Sequence, residues 1–370
     1  MTKPQLTFAC ESASEMLEAL CNNPTVISDL LALDARVAMG LIDLNDARAA
    51  CVRKLNRAGV PLVAWLLLPK EQGYWCHAGN AAQAADRYYA FLRWSQEHGL
   101  CWSGVGLDIE PDISLVEALR QRHWRRAVPV LMKHALDGGR LRRARAEYGM
   151  LVTAIRRDGY PVETYQIPLL VDERRAHTAI LQRLLGVVDV PADREVLMLY
   201  SSFLGPLGTA LLWSYGCEAQ VIGVGSTGGG VELSADLPLL DGQTLVRDLL
   251  LAAQRADAVF VFSLEGCVQQ GLLSHIRVVD WELPIFAPPR RVRLVNGLRA
   301  AFRSILWVAD NPAMLLTTGL LLLCLAKKMR TRFVHLWAAP AGEMVLSEGR
   351  LPKDQIPFRF RRKHRWHPES

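Results

Sequence analysis

Eight short apolar runs, each followed by an amphipathic stretch, constrain the fold of this chain more than any other feature of its sequence. The runs are Leu6–Cys10, Arg36–Ile42, Pro61–Leu68, Gly104–Ile109, Val162–Ile167, Glu195–Tyr200, Ala219–Gly225 and Ala258–Ser263. Continuous apolar strands that alternate with helices indicate βαβ units and a parallel sheet that is buried on both faces. Eight such units within about 280 residues predict a (β/α)8 TIM barrel. A doubly wound open sheet is the structural alternative, because strand order is not encoded in the pattern.

The chain changes character after the eighth run. Pro284, Pro288 and Pro289 suggest a linker, and residues 289–370 are strongly basic although the whole chain carries a net charge of only +6. We therefore predict an α/β barrel at residues 1–283, which we expect to be the catalytic domain, and a basic C-terminal extension at 284–370. The extension includes an apolar helix at 313–326.

The apolar helix is short for a membrane span. Its 14 residues fall below the ~20 that cross a bilayer, and extending it back to residue 304 brings in Asp310, Asn311 and Pro312. Basic residues follow at once, and near the C-terminus they alternate with aromatic ones. We predict that this tail contacts an anionic membrane surface, and we favour that partner over nucleic acid.

The eight cysteines form no CxxC pair and lie at no zinc-ligand spacing from a histidine. Scattered cysteines of this kind are typical of small buried residues in a reducing compartment. No signal peptide is evident at the N-terminus. We therefore expect a cytoplasmic protein, possessing neither a metal site nor a cofactor, attached to the inner face of a membrane if the tail binds one.

Catalytic groups of a barrel lie at the C-terminal ends of its strands. The predicted strand ends offer carboxylates, one amide and one phenol: Glu11, Asp43, Asp108, Glu110, Gln166, Tyr200 and Glu265. Aromatic residues near these ends, Trp65, Tyr74, Trp75, Trp102 and Tyr165, provide surfaces on which sugar rings stack. Of the polar and aromatic groups, we assign Glu11, Asp43, Gln166 and Trp102 to substrate binding.

The most informative segment is Gly104–Pro111. Because strand side chains alternate, Asp108 and Glu110 share a face with Gly106, and two neighbouring carboxylates raise the pKa of one of them. A proton donor near neutral pH is what cleavage of a glycosidic bond requires. The structural alternative is that the pair caps the next helix or binds an arginine.

This segment resembles the strand-four motif of chitinase-like family-18 glycoside hydrolases, D-x-x-D-x-D-x-E. Asp108 and Glu110 match its last two acids, whereas Ser103 and Gly106 replace the first two. Met198-Leu199-Tyr200 is similar to the Met-x-Tyr of the same family. The resemblance implies that Glu110 is the general acid, that Asp108 orients a substrate acetamido group, and that Tyr200 assists.

Two further interpretations remain open at this point. Glu265, opposite Glu110 in a closed barrel, is a candidate nucleophile or base, and the distance between carboxyl groups then decides between retention and inversion. Alternatively, the glycine-rich segment 223–230 offers backbone N–H groups to a phosphosugar or nucleotide, through Gly225, Ser226, Thr227 and Gly228. A non-catalytic scaffold at a membrane is the third possibility.

Overall fold

A computed structural model describes residues 2–230 and 238–311, together with individual residues between 313 and 328. All eight predicted strands are present and close into a parallel barrel in chain order, so the predicted fold class is confirmed and the open sheet is excluded. The strands are β1 (Gln5–Cys10), β2 (Arg36–Leu41), β3 (Leu62–Leu66), β4 (Gly104–Ile109), β5 (Val162–Gln166), β6 (Arg194–Met198), β7 (Val221–Gly225) and β8 (Ala258–Phe262). Closure occurs where β1 pairs with both β2 and β8, with Thr7 opposite Arg36 and Phe260.

Helices cover the outside of the barrel. They are α1 (Ser14–Asn22), α2 (Pro24–Ala32), α3 (Asp46–Ala58), α4 (Ala81–His98), α5 (Ile113–Arg120), α6 (Trp124–Leu136), α7 (Arg140–Arg157), α8 (Leu169–Arg175), α9 (Ile180–Leu185), α10 (Gly208–Gly216), α11 (Gly242–Ala253), α12 (Leu264–Gln269), α13 (Leu272–Arg277) and α14 (Pro289–Asp310). Local signals set their ends. Asn45, for example, caps α3 through a hydrogen bond from the Arg48 backbone N–H, and Gly59 ends it in the left-handed conformation.

Alternation along the strands creates two cores. Side chains that face outward, such as Val105 and Leu107, join the large apolar layer between strands and helices. Those that face inward, such as Val63, Trp65 and Tyr165, fill the barrel itself. The interior is therefore a packed column, and only the two ends of the barrel are open to polar groups.

The N-terminal end of the barrel interior holds a buried ion pair. Arg36 of β2 contacts Glu163 of β5 at 2.5 Å, and Arg194 of β6 approaches the same carboxylate at 3.7 Å. Arg36 and Glu163 are both buried. These charges compensate each other, which is the condition under which burial of ionised groups is tolerated.

Gly106 shows how tightly the interior is packed. A Cβ atom at this position would lie 2.5 Å from the hydroxyl oxygen of Tyr165, which is closer than van der Waals contact allows. We predict that Gly106→Ala lowers the free energy of unfolding by about 1–3 kcal/mol, because the side chains of an overpacked core must shift to make room.

Gly149→Ala is the matched control. No atom lies within 4 Å of its added Cβ, so in the interior of α7 it should stabilise the protein by about 0.5–1 kcal/mol. Urea unfolding of both variants checks the pair, and equal effects would contradict the packing argument.

Helix α14 follows the proline-rich segment and packs on α8, α9 and α10. One buried side chain, Arg299, makes most of its polar contacts. Its guanidinium donates to Asp172 at 3.0–3.1 Å, to Glu218 at 2.7 Å and to the Ser214 carbonyl at 2.8 Å, and it lies over the Tyr215 ring. These contacts fix α14 to the barrel wall.

The segment beyond α14 is described only in part. The described residues among 313–328 are helical, whereas the tail from residue 329 lies outside the described residues. Within the part of the chain that the structure describes, no helix combines the length and the apolarity needed to cross a bilayer. The domain boundary at 283/284, the membrane contact and the cytoplasmic location stay predictions.

Candidate active site

Acidic side chains gather at the C-terminal mouth of the barrel. Asp108 is the penultimate residue of β4 and Glu110 follows the strand, while Glu11 follows β1 and Glu265 lies in the first turn of α12 after β8. The backbone N–H of Glu11 donates to the Glu265 carboxylate at 3.0 Å, which joins strands one and eight at this edge. Four carboxylates from three separate parts of the chain therefore share one opening.

Asp108 is the most constrained of the four. The side chain is buried, and its Oδ1 has no hydrogen-bond partner within the described residues. Burial raises the pKa of the Asp108 carboxyl well above its usual range, and the negative charges of Glu110 and Glu11 raise it further. Asp108 is thus held in its protonated form far more readily than an exposed aspartate.

Glu110 lies beside Asp108 and remains partly exposed. Burial of its carboxyl group raises the Glu110 pKa from 4.5 to about 7. Within the described residues, no Lys, Arg or His forms an ion pair with Asp108, Glu110 or Glu265. The structural alternative required an arginine bound to Asp108 and Glu110, and the described residues provide none.

Tyr200 and Tyr74 complete the mouth. Burial raises the pKa of the Tyr200 phenol well above 10, and nearby Asp108 and Glu110 add to the effect, so Tyr200 is a neutral hydrogen-bond donor. Its ring packs beside Phe262 with centroids 5.6 Å apart. The Tyr74 hydroxyl donates to Glu11 at 2.5 Å. Tyr74 follows the third strand, and the sequence offered it only as a stacking surface, so its bond to Glu11 was not anticipated.

Glu265 is fully buried against the glycine-rich loop. A Cβ atom at Gly229 would lie 2.2 Å from Glu265 Cγ, so only glycine allows this loop to lie so close. One carboxylate oxygen accepts from the Glu11 N–H, and the other has no partner within the described residues. Burial raises the Glu265 pKa.

Three of the predicted substrate-binding residues have other surroundings. Asp43 accepts hydrogen bonds from Arg48 Nε at 3.0 Å and Nη2 at 3.1 Å. Although burial opposes the charged form, Arg48 holds the Asp43 pKa below its usual value.

Trp102 precedes β4, donates to Ser95 and packs against Phe91, so it lies at the N-terminal end of that strand. Gln166 alternates with inward-facing Tyr165 and is completely buried on the outward face. Of the four predicted substrate-binding residues, Glu11 and Asp43 follow strands at the C-terminal end of the barrel, but the Asp43 carboxylate is paired with Arg48.

The glycine-rich loop directs its polar groups inward. The backbone N–H groups of residues 226–228 donate to Ser202 Oγ, the Phe262 carbonyl and Ser226 Oγ, respectively. The Thr227 hydroxyl donates to the Ser263 carbonyl and accepts from the Ser263 N–H. Because the N–H groups of residues 226–228 are used inside the protein, this part of the loop is tied to β8 and its three N–H groups are not available to a phosphate.

No group of three or more His, Cys, Asp or Glu side chains is arranged to hold a metal ion within the described residues. The fold and the site together define a (β/α)8 barrel whose C-terminal mouth is lined by carboxyl groups, of which Asp108, Glu110 and Glu265 form no ion pair within the described residues.

The barrel is similar to solved glycoside hydrolase barrels. A GH18 chitinase from Pseudoalteromonas aurantia shares 10% identity over 74% of this chain and 98% of its own, with a TM-score of 0.44. The PgaB (BpsB) glycoside hydrolase domain from Bordetella bronchiseptica shares 10% identity over 75% and 99%, also at 0.44. Saccharomyces cerevisiae Gas2p in complex with laminaripentaose shares 13% over 70% and 56%, at 0.37. No protein-family model and no curated protein matches the sequence.

The Glu110 pKa has a consequence for stability. The native carboxyl binds its proton more tightly than the unfolded one, so stability falls as the pH rises from 4.5 to about 7. We predict that Glu110→Gln becomes more stable relative to wild type, on the order of 2 kcal/mol, between pH 4 and pH 8. Urea unfolding at both pH values measures this difference. Glu117→Gln, an exposed change on α5, is the control; a similar pH-dependent gain there would contradict the assignment.

Proposed function

We propose that the protein hydrolyses a glycosidic bond at the C-terminal mouth of the barrel. The observation that carries the proposal is the placement of Asp108 and Glu110 together at this mouth, without a cationic partner among the described residues. Burial of unpaired carboxyl groups lowers stability, and such groups cluster at catalytic sites. A purely structural role would favour paired acids, as Asp43 with Arg48 illustrates.

Glu110 is the general acid in this proposal. With a pKa of about 7, Glu110 carries its proton in roughly half of the molecules at neutral pH, and its partial exposure lets it reach a substrate. It donates this proton to the glycosidic oxygen, the bond from that oxygen to the anomeric carbon breaks, and the leaving sugar departs as an alcohol. The anomeric carbon is left electron-deficient and takes its new oxygen from water, which gives up a proton to a carboxylate and so restores the protonated acid.

Asp108 and Tyr200 assist from the same wall of the mouth. Asp108 sits behind Glu110 and, because its pKa is raised by burial and by the charges of Glu110 and Glu11, it is a neutral carboxyl group that donates a hydrogen bond to the substrate. The Tyr200 phenol supplies a second neutral donor. Glu265, whose second oxygen has no partner in the described residues, is the candidate base or nucleophile.

The substrate class follows from the lining of the mouth. Tyr200 and Phe262 form an aromatic pair that is partly exposed, and Trp65 lies edge-on behind Phe262 at 6.4 Å. Sugar rings stack on such surfaces while carboxyl groups accept from their hydroxyls. A carbohydrate or glycoconjugate therefore suits this site.

The test is an assay of the purified full-length protein on a panel of oligosaccharides and aryl glycosides that includes N-acetylglucosaminides. Release of reducing ends from at least one class supports the proposal, and the anomer formed first reports retention or inversion by NMR. A folded protein that cleaves none of these substrates between pH 5 and 8 would contradict it.

A further inference from the structure

A second cavity lies outside the barrel, between α14 and the ends of α8, α10 and α11. It is open to solvent on one side and has a volume of about 310 Å³, and its polar lining includes Arg175, Arg255, Arg299, Arg303, Glu218 and Asn296. Crossover helices run antiparallel to the strands, so the last residues of α8, α10 and α11 lie toward the N-terminal end of the barrel. This cavity is therefore separate from the candidate active site.

The charges around the cavity do not balance. Four guanidinium groups surround it, whereas two carboxylates lie within reach: Asp172, which is completely buried, and Glu218. Arg299 uses both acids to hold α14, and Arg175 also pairs with Glu218 at 2.6 Å. A surplus of two positive charges remains around this small, partly open cavity.

Arg255 is the clearest source of this surplus. It forms no ion pair within the described residues, and its buried Nε has no hydrogen-bond partner there. Its guanidinium lies 3.6 Å above the ring centre of Trp213, a contact that fixes the plane of the group. An arginine held in place without an anion is already arranged to bind one, since little rotamer freedom is lost on binding.

Two other side chains offer donors to the same space. Arg303 approaches Asp172 only at 3.5 Å and remains partly exposed. Asn296 accepts a hydrogen bond from the Ser214 hydroxyl through Oδ1, which leaves its NH₂ group for a ligand. Glu218, the acceptor in the lining, is already occupied by Arg175 and Arg299. The cavity therefore presents donors and positive charge.

We propose that this cavity binds the phosphate group of a phosphate monoester, with Arg255 and Arg303 as its main ligands. A phosphate at neutral pH carries a charge of about −1.5 to −2, which matches the surplus, and its oxygens accept the paired N–H groups of arginine. A single carboxylate would leave one of the two surplus charges uncompensated. The phosphate belongs either to a soluble ester or to an anionic lipid headgroup.

The test measures binding of inorganic phosphate and of glycerol 3-phosphate to the full-length protein by calorimetry, in a buffer that contains no other oxyanion. The double variant Arg255→Gln/Arg303→Gln should bind at least about tenfold more weakly. Arg126→Gln, an exposed change on α6 that alters the net charge in the same direction, should bind like wild type. Co-sedimentation with phosphatidylcholine vesicles that contain phosphatidic acid, using the same variants, supplies the lipid arm.

The outcomes separate the two sources. Binding of the soluble phosphates that the double variant loses supports a soluble ester, and vesicle binding alone that the variant loses supports a lipid phosphate. If wild type binds none of the probes, or if the double variant binds as tightly as wild type, the proposal is wrong. Should the double variant fail to fold, Arg303→Gln alone provides the same comparison, because within the described residues Arg303 forms a single ion pair, the long approach to Asp172.

Discussion

Replacement of Glu110 by Gln should lower the hydrolysis of oligosaccharides by about 10²–10⁴-fold, the usual contribution of a general acid. The amide keeps the shape of the side chain but cannot donate a proton to the leaving oxygen. Because burial raises the Glu110 pKa to about 7, wild-type activity should decline as the pH rises through that value. Initial rates of reducing-end release from pH 5 to 9 measure both effects.

Substrate choice makes this prediction specific. Aryl glycosides with acidic phenol leaving groups need little protonation, so Glu110→Gln should retain much more of its activity on them than on oligosaccharides. Glu117→Gln, exposed on α5, is the matched control and should behave like wild type on both. If Glu110→Gln loses the same share of its activity on both substrate classes, Glu110 acts in binding or folding and not as the general acid. If its rates equal those of wild type, Glu110 has no part in the mechanism.

Replacement of Arg299 by Met should cost about 3–5 kcal/mol of the free energy of unfolding, the range for breaking a buried ion pair from one side. The change leaves Asp172 buried with its main cation gone and deprives Glu218 of a partner. Methionine preserves most of the apolar stem, so lost packing is a small part of the effect. Urea unfolding, followed by tryptophan fluorescence, measures the loss.

A surface pair provides the comparison for Arg299. Arg156 contacts Asp193 at 2.8 Å, but both side chains are about 40% exposed, so Arg156→Met should cost less than about 1 kcal/mol. Adding Asp172→Asn to Arg299→Met should recover part of the stability, because the uncompensated charge is then removed. A similar small loss for both arginines would show that α14 is held by its apolar contacts.

The barrel was predictable because its strands are buried on both faces. The run Gly104–Ile109 coincides with β4, and Glu195–Tyr200 differs from β6 only by one or two residues at its ends. Such strands are apolar throughout and stand out against the amphipathic helices. Strand order is a property of long-range pairing, which explains why closure had to be observed rather than deduced.

The candidate site was predictable where strand alternation applies. Asp108 and Glu110 share a face for that reason, whereas Gln166 follows the same rule and faces outward because Tyr165 takes the inner position. Asp43 and Trp102 depend on partners that are distant or not evident in sequence, namely a fully buried Arg48 and the aromatic side chains of α4. The arginines of the second cavity span residues 175 to 303, so no local motif could have indicated them.

The packed column inside the barrel bears on how a polymer would meet this protein. Arg36 and Glu163 occupy one end, and Trp65, Tyr165 and Phe260 fill the middle, so the barrel has a single entrance. A sugar chain cannot thread through and emerge on the far side. In the proposed reaction, the sugar chain must lie across the opening or insert one terminus into it, and both products must leave on the same side of the barrel. Repeated cleavage of one sugar chain without its release would therefore require the chain to slide along the rim of the C-terminal mouth.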